Sequence, residues 1–111
     1  MANNLNRISM MGRIGADPTM KILDNGNHSS RFSIAVDREV KVDGVFTKIP
    51  NWFNVVAFGN EAKYINSFGK KGNSIMFEGH LQQNKWIDPT SGDSRESIDV
   101  IVDTVVYLGK N

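Results

Sequence analysis

The chain has 111 residues, 40% of them hydrophobic and 23% charged, which suits one folded domain and is too short for two comfortable cores. Thirteen cations nearly cancel twelve acids, and the formal charge of +1 excludes a partner held by net charge alone. There is no cysteine, so disulfide frameworks and thiolate metal sites are excluded. No apolar run approaches the ~20 residues that cross a bilayer, and Met-Ala-Asn-Asn-Leu-Asn-Arg has no signal-peptide apolar segment.

In chain order the reading is mostly strand. Leu5 to Ile14 is a first strand in which Gly12 and Gly15 allow a bend. Asp17-Pro18 is a turn, Met20 to Leu23 a short strand, and Asp24-Asn25-Gly26-Asn27 a hairpin turn. Arg31 to Val40 alternates Phe32, Ile34 and Val36 against Ser33 and Ala35. Asp43-Gly44 breaks it, and Val45 to Phe58 follows, with Pro50 marking an edge or irregularity. Asn60 is a fair N-cap for one helix, whose apolar stripe is Ala62, Ile65 and Phe68 and whose C-terminal cap is Gly69. Lys70-Lys71-Gly72 leads into a strand with Ile75, Phe77, Gly79 and Leu81 on one face and Met76, Glu78, His80 and Gln82 on the other. Lys85 to Arg95 reads as a long hairpin loop. A last strand starts near Ser97 and alternates Ile98, Val100 and Val102 against solvated Asp99 and Asp103. Five main strands with one helix between the third and fourth is the order of an OB-fold barrel, an all-β class with closed edges, filling residues 1–111 as a single domain.

The stretch from Asn51 to Gly59 carries the functional signal. In an extended strand Trp52, Asn54, Val56 and Phe58 share one face and Phe53, Val55 and Ala57 the other. The second set is enough for a core, which leaves Trp52 and Phe58 on a face the core does not need. Trp86 stands beside Lys85 before a turn-rich segment. Flat aromatics with cations nearby suit unpaired bases stacked over a phosphate backbone.

Asn6-Arg7-Ile8, Gly12 to Pro18, Asn25-Gly26, Phe32 to Val36, Trp52 to Gly59, Lys71-Gly72, Phe77-Glu78-Gly79 and Lys85 to Asp88, in that order and spacing, resemble the bacterial and phage single-stranded DNA-binding proteins. The resemblance spans Asn3 to Leu108. It implies an OB-fold domain that assembles, usually as a homotetramer with a dimer as the alternative, and coats single-stranded DNA without sequence preference in replication, recombination and repair. In that family bases stack at the positions of Trp52, Phe58 and Trp86, and cations at the positions of Arg7, Lys71 and Lys85 lie near the DNA. A further stacking aromatic of the family falls at Val40, so that contact is lost or shifts to Phe46. Asn54 and Asn60 stand where relatives often place a cation. The sequence ends at Leu108-Gly109-Lys110-Asn111 without the disordered linker and acidic tip of bacterial members. The expectation is a tail-less phage or plasmid member, or the folded part of a longer protein, with replication and repair partners undefined.

Met76, His80 and Gln82 become interface candidates if subunits pack sheet on sheet. No cofactor, metal or membrane is expected, RNA is a second ligand because stacking does not read the 2′-hydroxyl, and the expected location is the cytoplasm or a phage host's cytoplasm. A nuclease would need a carboxylate cluster for a metal. Asp88 and Asp93 are turn residues and Asp99 and Asp103 solvated strand residues, so no enzyme is expected. A primosomal OB-fold protein that binds single strands and recruits a helicase is the nearer rival, although such proteins generally lack the paired tryptophans. An OB module for proteins or oligosaccharides would show no affinity for homopolymeric DNA.

Overall fold

A computed structural model describes residues 4–109; the chain ends read above, Met1 to Asn3 and Lys110-Asn111, lie outside them. Six strands and one helix follow in order: β1 (Ile8–Ile14), β2 (Thr19–Ile22), β3 (His28–Val42), β4 (Val45–Phe58), α1 (Gly59–Phe68), β5 (Ser74–Ile87) and β6 (Ser94–Gly109). With short β2 set aside, these are the five strands of the barrel, and the helix falls between the third and fourth of them. The sheet runs β1-β5-β6-β4-β3-β2, and a further β1–β3 pairing closes it. That closure is brief, Arg13 opposite Ala35 and Ile14 opposite Ile34. Gly12 stands where β1 leaves β5 for β3, and a methyl group there would strike the Ala35 carbonyl oxygen.

Alternation explains the core. Ile14, Phe32, Ile34, Val55, Ala57, Ile75, Phe77, Val100 and Val102 point inward from five strands, and Ala62 and Ile65 of α1 pack onto them. The same parity fails at the rim. Phe53, Leu81 and Ile98 continue the inward rows but are 36%, 42% and 59% exposed, because they stand just past the barrel's edge, where β4–β6 pairing stops at Val55–Val100 and β1–β5 pairing at Gly79. The β3–β4 ribbon closes on Asp43-Gly44, both at positive φ (50° and 80°), as a two-residue hairpin requires. Pro50 causes no break and pairs with Asp37.

The β5–β6 hairpin is tighter than the sequence suggests. Strand pairing continues to Ile87 and resumes at Ser94, so residues 88–93 alone make the loop. Asp88 closes it: its Oδ1 accepts the N–H groups of Thr90 (2.8 Å) and Ser91 (3.4 Å), and its Oδ2 accepts Arg95 Nε (3.3 Å). These bonds, the backbone ones first, hold the Asp88 carboxyl below the usual carboxylate range.

The helix also departs from expectation. Phe58 occupies the N-cap and gives no side-chain bond, and Asn60 lies within the first turn. Gly69 does end the helix, with extended rather than left-handed backbone, its N–H donating to Ile65 O at 2.6 Å. Phe68 misses the core and lies 59% exposed against Tyr64, ring centroids 5.1 Å apart.

One polar atom is misplaced in the core. Ser30 is fully buried and its Oγ has no hydrogen-bond partner. A buried unsatisfied hydroxyl costs about 1–3 kcal/mol, so Ser30→Ala is expected to stabilise the domain by about 1 kcal/mol. Urea unfolding checks this, and a lowered midpoint would contradict it.

Candidate nucleic-acid interface

The barrel exterior carries the three aromatic residues singled out by the sequence. Trp52 is 57% exposed, Phe58 44% and Trp86 48%. Trp52 and Phe58 lie on one face of β4, about 20 Å apart at strand rise. Trp86 lies on β5, on a strand rather than the mobile loop expected, opposite Arg95 of β6.

Trp52 owes its seat to a glycine. A Cβ on Gly15 would collide with the Trp52 ring and approach Ser33 Oγ to 2.8 Å, so the bare backbone leaves room for the indole. The loop after α1 is bonded to the end of β1. Gly72 N–H donates to Ile14 O (2.8 Å), Ile14 N–H donates to Asn73 O (3.0 Å), and Lys71 N–H donates to Asp17 Oδ1 (2.8 Å). Lys71 and Arg13 therefore line one cleft with Trp52, about 280 Å³ in volume.

A second cleft, about 580 Å³, is formed by Lys85, Trp86, Ile87, Ser94, Arg95 and Glu96. Arg95 is the cation directly across the ladder from Trp86, and Lys85 alternates to the opposite side of the strand. Sequence neighbours favoured Lys85; only the register of the ribbon reveals Arg95. Arg7 stands apart from both clefts, paired with Glu78 at 3.5 Å. Asn6 secures that segment by donating Nδ2 to Leu81 O (2.7 Å) and accepting the Leu81 N–H (3.0 Å).

The face between the aromatics is less open than strand alternation predicts. Val56 shares the side of Trp52 and Phe58 yet is 4% exposed, and Asp99, read as solvated, is also 4% exposed. One interaction accounts for both. Arg31 on β3 sits opposite Val56 and reaches over β4 to Asp99 Oδ2 on β6, 3.5 Å away. Asn84 Nδ2 donates to the same oxygen at 2.8 Å, and Gln82 Nε2 donates to Asn84 Oδ1 at 3.1 Å. Gln82 thus joins a polar network on this face. His80 Nδ1 lies 3.0 Å from both oxygens of Asp103. Met76, 39% exposed, is paired with Met11 of β1.

Val40 and Phe46 differ in side. Phe46 has the parity of Trp52 on β4, is 69% exposed, and has Lys41 Nζ 5.7 Å from its ring centroid. Val40 has the opposite parity and is half-buried. Among the described residues no group of three or more metal-ligating side chains gathers, and no helix is long and apolar enough to cross a membrane.

A family model described as the single-strand binding protein family matches residues 5–108. The chain is similar to single-stranded DNA-binding protein 2 of Nostoc sp., 30% identical over 107 residues covering 96% of this chain and 80% of that one. It is similar also to single-stranded DNA-binding protein 1 of Synechocystis sp., 31% identical over 106 residues covering 96% and 85%. Among solved structures it is similar to a chain of a Plasmodium falciparum SSB complex with ssDNA, at a TM-score of 0.80 and 25% identity, covering 92% of this chain and 89% of that chain.

Proposed function

Because this chain belongs to the single-strand binding protein family, we propose that it binds single-stranded DNA by stacking bases on Trp52, Phe58 and Trp86, with phosphates held by nearby cations. The role is binding, without catalysis. The observation that carries the stacking assignment is the exposure of three aromatic rings on the barrel exterior, two of them in clefts that also hold cations. Base stacking is worth about 1–3 kcal/mol per base and tolerates any sequence, which suits a chain of almost zero net charge.

The cations that the geometry favours are Lys71 and Arg13 beside Trp52, and Arg95 across the ladder from Trp86, with Lys85 at the far edge of the same cleft. Arg7 lies off these clefts and contributes steering rather than a seated contact. Phe46, with Lys41 against its ring, is the better substitute for the aromatic missing at Val40. Stacking of this kind accepts RNA as well as DNA. Coating of unpaired DNA serves replication, recombination and repair, and the location we propose is the cytoplasm, or a phage host's cytoplasm.

Assembly is proposed through the β1–β5 face, where exposed Met11 and Met76 sit side by side with His80 further along β5. A homotetramer is the expected state. Light scattering that gives a monomer at micromolar concentration would exclude it.

Titration with a long oligo-dT, followed by tryptophan fluorescence with an equal-length duplex as control, tests the function. Saturable quenching by the single strand alone supports it and gives the site size. Absence of both quenching and binding would leave an OB barrel without the proposed ligand.

A further inference from the structure

We propose that Arg31 is a phosphate-binding residue held in check by Asp99: an arriving phosphate takes the guanidinium from the carboxylate, so Asp99 lowers affinity for the strand. This rests on the single-strand reading above and adds a device to it.

The pair stands on the route between the aromatics. Arg31 lies opposite Val56, which is two residues from Phe58 and four from Trp52 on the same side of β4. Asn84, bonded to Asp99, is two residues from Trp86 on the same side of β5. A strand crossing from the Trp86 cleft to the β4 aromatics passes over this network.

The two charges are unequally available. The Asp99 side chain is 6% exposed and that of Arg31 is 60%, so a ligand can reach the cation while the acid stays beneath it. Other arginine pairs on this molecule differ. Arg7, Arg13 and Arg95 bond to carboxylates whose side chains are 51%, 32% and 26% exposed. The Arg31–Asp99 separation of 3.5 Å exceeds the roughly 2.7–2.9 Å of a strong charged hydrogen bond. The tether is loose enough to exchange.

Departure of the guanidinium would not strand the acid. Asn84 Nδ2 keeps its 2.8 Å bond to Asp99, and Gln82 fixes the Asn84 amide in that orientation. Buried Val56 and Ile101 form an apolar floor under the exchange, where charge interactions are less screened than in open solvent.

The test is oligo-dT titration at several salt concentrations with the parent chain, Arg31→Ala, Asp99→Asn and the double variant. Arg31→Ala should weaken binding about fivefold and reduce the salt slope by about 0.7, one phosphate on a single strand. Asp99→Asn should tighten binding about threefold, and the double variant should match Arg31→Ala. Weaker binding by Asp99→Asn would make the acid a support for Arg31 and overturn the proposal. Equal tightening with and without Arg31 would reduce it to general charge and overturn it too. Should Asp99→Asn lose its fold by circular dichroism, exposed Arg31 still decides the matter, because an unchanged slope in Arg31→Ala refutes the phosphate contact. Silence from all four chains would instead refute single-strand binding itself.

Discussion

Alanine at Trp52 or at Trp86 is expected to weaken oligo-dT binding by about 1–3 kcal/mol, roughly 5- to 150-fold, while the fold persists. Both indoles are about half exposed, so the core loses little when either is cut. What each variant loses is a flat surface beside cations, Arg13 and Lys71 for Trp52 and Arg95 for Trp86. The chain has two tryptophans, so each variant keeps one reporter whose quenching can still be followed. An unchanged affinity in a variant with normal circular dichroism would remove that ring from the site. Gly15 offers a milder probe of the same point, since a methyl group there collides with the Trp52 ring and with Ser33 Oγ.

Phe77→Ala is expected to cost about 3–5 kcal/mol of stability. Phe77 is the bulkiest of the fully buried side chains, and β5 carries it between Met10 of β1 and Val105 of β6. Its neighbours are ladders tied on both sides, which cannot collapse into the vacancy as a loop would. Against a total of about 5–15 kcal/mol for a domain, this loss is a large share. Urea unfolding measures it directly. A loss below about 1.5 kcal/mol would mean that the barrel closes around the gap and that its core is softer than the ladders imply.

Period-two alternation made the barrel legible, because one inward row per strand is the condition for closing it. The same rule placed Trp52 and Phe58 outside. It failed at Phe53, Leu81 and Ile98, because parity says which way a side chain points and nothing about where the barrel stops. It failed also at Asp99, buried by an arginine 68 residues earlier in the chain, a relation that no local pattern contains. Arg95 escaped notice for a similar reason: its place beside Trp86 depends on a six-residue loop, and the turn-rich sequence suggested a longer one. Asn60 had the chemistry of a cap, but the helix starts straight after Phe58, two residues earlier than a cap at Asn60 implies.

The barrel is completed by partners that are distant in time as well as in sequence. β1 pairs with β5, and β4 meets β6 only through Val55–Val100 and Val56–Ile101. During synthesis on a ribosome, the segment from β1 to β4 can form little beyond the β2–β3–β4 meander and the brief β1–β3 contact. Phe32, Ile34 and Val55 then stay incompletely covered until β6 emerges. Core formation must therefore await β6, and the nascent domain carries an open apolar face until that strand arrives.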